Sequence, residues 1–360
     1  MKHVQEYRDP QLVAGLAREL AAAVTRPMRI MEVCGTHTMS IFRHGLRSLF
    51  PDHLELISGP GCPVCVTSAG HIDAFIDLAG RDGVIIATFG DLIRVPGSHS
   101  SLDRARAAGG RVEVVYSPMD ALVLAENNPE QTVIFLGVGF ETTCPGIAAT
   151  IVEAARRDLR NFCVFSAGKI MPPPLRALMQ DPELKIDGLL CPGHVSIITG
   201  TQSYRFLAEE FGLSCVVSGF EPADVLRALV MLARRIGQGR AEVENGYSRV
   251  VSEQGNPQAR AMLERVFELV DTPWRGLGVI AGSGFAIREE FAQWDAERRF
   301  GITIEDIAEP PGCRCGEILK GICLPPDCPV YGKRCTPLNP IGPCMVSSEG
   351  TCAAYYRYSV

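Results

Sequence analysis

Three groups of cysteines stand out by type and spacing, and each suits a different kind of sulfur chemistry. Cys34 stands alone in Glu32-Val33-Cys34-Gly35-Thr36-His37. A soft thiolate there suits iron, zinc or copper(I), and the glycine beside it permits close backbone approach. Thr36 and His37 are near enough in sequence to hydrogen-bond that sulfur or a ligand on it. A lone cysteine at a strand end also reads as a small buried hydrophobe. Cys62 and Cys65 form a C-x-x-C pair in Gly59-Pro60-Gly61-Cys62-Pro63-Val64-Cys65. That spacing suits a reversible disulfide or two ligands on one metal, and a helix starting near Thr67-Ser68 lowers the pKa of a nearby thiol. No second C-x-x-C or paired histidines complete a four-ligand zinc set with them.

The third group is the densest. Of fourteen cysteines, seven precede residue 313 and seven follow from it. Cys313, Cys328, Cys335 and Cys352 are spaced C-x14-C-x6-C-x16-C, with Cys315 and Cys344 as a second pair and Cys323 left over. Four thiolates satisfy a 4Fe–4S cluster, and a zinc site with four cysteines is the alternative. From Pro310 onward the text is Cys, Gly and Pro with little periodicity, so something other than apolar burial must hold it, and a metal site is the usual answer.

Two further loop residues have chemistry to offer. Glu141 suits a proton acceptor or a ligand-orienting carboxylate, or else the cap of a helix starting near Thr143. His194, beside Cys191, reads equally well as structural. Gly168-Lys169 lacks the spacing of a phosphate-binding loop, and the glycines between Gly278 and Gly284 lack a dinucleotide context.

Something must position these side chains, and the chain's rhythm says what. Asp9-Pro10 opens a helix with a stripe of Leu12, Leu16, Leu20 and Val24. β-Branched runs follow at Arg29–Val33, Leu54–Ser58, Gly83–Phe89 and Val112–Tyr116. Four more come at Thr132–Val138, Asn161–Ser166, Gly188–Cys191 and Leu213–Ser218, with helices between several of them. This alternation predicts α/β architecture with parallel sheets. Four runs followed by four predict two similar domains, 1–117 and 118–238. Residues 239–360 then hold a helical segment (Gln258–Val270 among it) and a small Cys-rich iron–sulfur domain from 310. The sulfur, Glu141 and His194 motifs follow strand ends, where open α/β sheets bind ligands.

Bulk properties exclude much else. A net charge of −6, with 46% hydrophobic and 21% charged residues, offers no footprint for nucleic acid or an anionic membrane. Apolar runs such as Val84–Phe89 are strand-sized, and the first residues lack a secretory pattern. The expected location is therefore cytoplasmic, where thiols stay reduced and a disulfide framework is disfavoured.

Taken together, Cys34-Gly35-Thr36-His37, Gly59 to Cys65, Gly139-Phe140-Glu141-Thr142-Thr143, Met171-Pro172-Pro173-Pro174, Cys191-Pro192-Gly193-His194 and Met345 to Gly350 resemble the HypD family of nickel–iron hydrogenase maturation proteins. The resemblance runs from about residue 29 to the C-terminus. It implies two α/β domains plus a cluster domain, serving as the scaffold on which an Fe(CN)2CO unit is assembled. It implies as partners a small HypC-type chaperone that shares the iron and a HypE-type protein that supplies cyanide. By the same resemblance Cys34 is the iron ligand, and Cys62 and Cys65 are a redox pair that also borders the metal. Cys313, Cys328, Cys335 and Cys352 bind the 4Fe–4S cluster, and Cys315 with Cys344 forms a further disulfide. His37 and Glu141 then orient or protonate ligands. The competing expectation is a free-standing, cluster-dependent thiol–disulfide oxidoreductase.

Overall fold

Eight strands begin where the β-branched runs predict them, in a computed structural model that describes residues 5–358. They are β1 (Met28–Glu32), β2 (Leu54–Ser58), β3 (Val84–Thr88), β4 (Arg111–Val114), β5 (Thr132–Gly139), β6 (Phe162–Gly168), β7 (Gly188–Pro192) and β8 (Ser214–Ser218). A short β9 (Val243–Asn245) follows, then β10 (Phe267–Trp274) and β11 (Gly278–Ile287). The first five-stranded sheet has the order β2-β1-β7-β8-β9 and the four-stranded sheet the order β4-β3-β5-β6. Every pair in both is parallel, and their central strands are buried on both faces as parallel sheets require.

The grouping of strands differs from the expected four and four. β1 and β2 join β7 to β9, while β3 and β4 join β5 and β6. A boundary near 117 therefore separates neither sheet. The chain leaves the first sheet after β2, builds the second entirely, and returns.

Local signals account for the helices over the first sheet. Asp9 accepts hydrogen bonds from the Gln11 and Leu12 amides and Pro10 opens the helix Pro10–Ala23. Glu221 and Asp224 form a reciprocal cap for Pro222–Gly237. Leu16 and Leu20 of one helix and Leu226, Leu229 and Ala233 of the other are buried in one cluster with Ile30 and Val216 of the sheet. Each such aliphatic chain contributes roughly 1.5–3 kcal/mol by burial. Among the described residues no helix is long and apolar enough to cross a membrane.

One region departs from expectation in form. The predicted helix Gln258–Val270 stops at Val266, and Phe267 starts an antiparallel hairpin with β11, whose glycines are strand residues. The hairpin straps the halves together. Arg275 N–H donates to Val66 O at 2.9 Å, and Ile170 N–H donates to Ser283 O at 3.0 Å. Beyond Pro310, regular structure shrinks to short pieces such as Cys315–Leu319 and Thr351–Tyr358. This Cys-rich unit packs on the first sheet's side, where Tyr355 meets Phe42 at 4.6 Å between ring centroids and Arg29 donates to Gly321 O at 2.9 Å.

Candidate functional site

β1 and β2 are neighbours in register, so the loops that leave their carboxyl ends must touch. Gly35 N–H donates to Gly61 O at 3.0 Å, which ties the Cys34 loop to the C-x-x-C loop. A Cβ at Gly61 would stand 2.2 Å from the Cys34 nitrogen, and one at Gly35 would stand 2.4 Å from Glu349 Cβ. Only glycine fits at either place without moving backbone. Cys34 begins the helix Gly35–Arg43, and Cys62 begins the single turn Pro63–Val66. Both sulfurs thus sit at helical N-termini, with Cys65 N–H donating to Cys62 Sγ at 3.1 Å.

The C-terminal unit closes over these loops. Thr36 Oγ1 donates to Glu349 Oε1 at 2.5 Å, and Cys62 Sγ donates to Ser347 Oγ at 3.2 Å. Asp91, at the end of β3, accepts from Ser348 N–H at 3.2 Å and so anchors the closing segment. Cys34 and Cys62 are buried, and Cys65 fully so.

Burial governs the titration of this site. It pushes the Cys34 thiol up to about 12, with the Glu349 and Glu32 carboxylates adding to the effect while the His37 and Thr36 amides oppose it. It also pushes the Glu32 carboxyl up to about 7. Glu32 is held by Cys34 N–H at 3.0 Å and by the Thr38 hydroxyl. Cys65 is raised well above the usual thiol range, chiefly by burial and then by contact with Cys344 and Cys62. A helix does start at Ala69 with Ser68 as its cap, but the expected lowering of this thiol does not follow, because desolvation outweighs a partial charge several residues away.

His37 links the loop to the far side of the first sheet. Its Nε2 faces Gly219 O at 3.0 Å and Ser218 O at 3.3 Å, which fixes that nitrogen as the proton carrier. The ring packs on Phe220, which His194 stacks from 3.9 Å. The imidazole therefore ties the Cys34 helix to the end of β8, and burial depresses it to about 4.

Glu141 stands apart. It does not cap the helix Cys144–Arg156, whose N-cap is Thr143. Its Oε1 accepts Met171 N–H at 2.9 Å, and it lines a cavity that none of Cys34, Cys62 and Cys65 reaches.

In the C-terminal unit, Cys313, Cys328, Cys335 and Cys352 line one cavity together with Cys315 and Cys344. Their donor set is all sulfur, the soft ligand type a 4Fe–4S cluster takes, and Ile341 N–H donates to Cys335 Sγ at 3.4 Å. The residues fit such a group, and four of these six thiols would hold it. Among the described residues, no three or more His, Cys, Asp or Glu side chains converge on a single-ion site. No disulfide joins any of the fourteen cysteines in this structure. Cys344 contacts Cys315, Cys352 and Cys65, and these contacts hold its thiol well below the usual range. It thus links the knot's thiols to Cys65 of the C-x-x-C pair.

Sequence reasoning missed Glu32, Asp91, Ser347 and Glu349. Glu32 had a signal: a carboxylate inside the apolar run Met28–Val33 has to be buried if that run is a central strand. Ser347 and Glu349 stood in the Met345 to Gly350 motif, but no role could be read for them there, because their partners lie hundreds of residues away.

A family model described as HypD, Hydrogenase formation hypA family, matches residues 11–359. The chain is similar to the hydrogenase maturation factor HypD of Rhodobacter capsulatus, at 48% identity over 370 residues covering 99% of this chain and 98% of the relative. Against HypD of Azotobacter vinelandii it is 46% identical over 367 residues, with 99% and 97% covered. Against HypD of Escherichia coli it is 46% identical over 366 residues, with 99% and 98% covered.

Proposed function

The chain belongs to the HypD family of hydrogenase formation proteins, and on that premise we propose that it is a cytoplasmic scaffold for assembling an Fe(CN)2CO unit. It works with a HypC-type chaperone that shares the iron and a HypE-type protein that supplies cyanide. The observation that carries the reading is the junction of sulfurs. Cys34 and the C-x-x-C pair meet at adjoining strand ends, and Cys65 touches Cys344 of the C-terminal unit.

Cys34 is the iron ligand in this reading, and iron is the cargo. A thiol held near 12 does not ionise unaided at neutral pH, so metal binding must expel its proton. Glu32, poised near neutrality and bonded to the Cys34 amide, is the acceptor. Ser347 and Glu349 exclude water from above. His37 keeps the helix register that aims the amides of Thr36 and His37 at the sulfur. Oxidation of Cys62 and Cys65 to a disulfide releases two electrons and two protons, and re-reduction takes them back. A 4Fe–4S cluster on Cys313, Cys328, Cys335 and Cys352 supplies electrons when bound. Cys344 and Cys315, in thiol contact, lie between the two groups and relay by thiol–disulfide exchange.

Infrared spectroscopy of the anaerobic complex with a HypC-type partner tests this. Nitrile and carbonyl stretches are expected in the wild type and lost in Cys34→Ala; bands unchanged in the variant overturn the ligand role. The Cys65–Cys344 contact also favours a second reading, a thiol–disulfide oxidoreductase acting on a diffusible substrate. That reading gives visible cluster absorbance with no nitrile or carbonyl bands in any complex.

A further inference from the structure

The second sheet's strand ends carry chemistry that sulfur does not use. β5 runs out through Phe140 into Glu141, which is 1% exposed. One carboxylate oxygen holds the Met171 amide, while Oε2 is buried with no hydrogen-bond partner among the described residues. Buried carboxylate oxygens are normally satisfied, so an orphan one asks for an explanation. Lys169 does not supply it, because its Nζ donates to Pro273 O at 3.1 Å and lies over the Trp274 ring.

Glu141 lines a cavity of about 420 Å³ between the second sheet and the hairpin, a size suited to a small organic molecule. Ile170, Ile198, Leu263 and Phe285 give it apolar walls, and Gln202 and Ser203 a polar edge. Its other charged residues balance: Arg260 and Arg288 offset Glu264 and Glu268. The buried carboxylate is thus left as the uncompensated charge. Burial raises its carboxyl to about 7, so an opposite charge beside it would restore the ionised form.

We propose that this cavity binds a small organic monocation, an amine or amidine, whose N–H donates to Glu141 Oε2 while its apolar body lies against Ile198 and Leu263. The site is independent of the thiol chemistry, since no cysteine lines it. Benzamidine is the probe, titrated calorimetrically into the full-length protein at pH 8, with benzamide as the uncharged comparison. Saturable 1:1 binding of benzamidine is expected, with benzamide at least about tenfold weaker. Glu141→Gln, which retains an acceptor for the Met171 amide, is expected to lose about tenfold or more for benzamidine alone. Ile198→Trp, which fills the cavity without touching the carboxylate, is expected to abolish binding of both, with melting curves verifying the fold of each variant. No saturable benzamidine binding, equal binding of benzamide, or wild-type affinity in Ile198→Trp overturns the proposal. If Glu141→Gln fails to fold, Ile198→Trp and the benzamide comparison decide it.

Discussion

The α/β body and the C-terminal unit hold their sulfurs by opposite means. In the body, Cys34, Cys62 and Cys65 ride on strands whose places are set by others: β1 and β2 pair from Met28–Leu54 to Glu32–Ser58, with Met31 and Ile57 buried beside them. In the C-terminal unit, regular structure is reduced to pieces such as the five-residue helix Cys315–Leu319, and cysteines make up much of its buried surface. Removing a thiol therefore means different things in the two regions. In the body it deletes chemistry from a standing fold; in the knot it also deletes part of what does the folding.

The largest effect should come from breaking the knot. Cys352→Ala is expected to lose cluster absorbance and to lower hydrogen-exchange protection across 310–358 by about a hundredfold or more, leaving β1 to β8 protected. Cys65→Ala is expected to change neither; equal loss of protection in the two variants would erase the distinction. Next is Gly61→Ala, which attacks the body where it has no slack. With backbone 2.2 Å from the new Cβ, a loss of about 3 kcal/mol is expected in denaturant melts.

A smaller effect sharpens the comparison through pH. Burial lifts the Glu141 carboxyl from its usual 4.5 to about 7. Between those values the folded chain keeps a proton that the unfolded chain has released, so stability falls as pH rises through the window. His37, depressed from 6.5 to about 4, acts with the opposite sign, removing stability as pH falls below about 6.5. Glu141→Gln removes only the first slope. From pH 4.5 to pH 8 the variant should gain roughly 1–3 kcal/mol on the wild type in urea melts; parallel curves would disprove it. The smallest effect is for Cys163, buried on β6 away from every other motif. Cys163→Ala should cost about 1 kcal/mol and leave spectra and redox behaviour unchanged, and any change in them would put a body cysteine to unexpected use.

Strand identity was legible because β-branched runs declare themselves, but partners were not. A run such as Val84–Thr88 says that it is buried on two faces without saying against which neighbour. The hairpin escaped notice for a local reason. Phe267–Trp274 carries Glu268, Asp271 and Pro273 after a helix with matching periodicity, and β11 is rich in glycine, so neither reads as a strand. The cysteines of the site were legible from spacing. Of the carboxylates around Cys34, Glu32 was legible from its place in an apolar run and Glu349 was not, since a polar residue in a loop is informative only once burial is known. The tie from His37 to the end of β8 was not legible either, because sequence proximity to Cys34 says nothing about which way a ring turns in a helix.

The passage of the chain from one sheet to the other and back sets a timetable for its birth. β3 to β6 are contiguous and can close their sheet as soon as they emerge, whereas β1 keeps one edge bare until β7 is made. At about 5–20 residues per second that interval is roughly ten to thirty seconds. Cys34 waits longer still, since 313 residues separate Thr36 from the Glu349 that covers the site. A nascent chain thus displays its thiol uncovered, and only a finished one encloses it. Stalled chains ending near residue 300 should let alkylating reagents reach Cys34, and full-length chains should refuse them. Translation itself would then decide when this sulfur is first able to hold a metal in a dry, closed place.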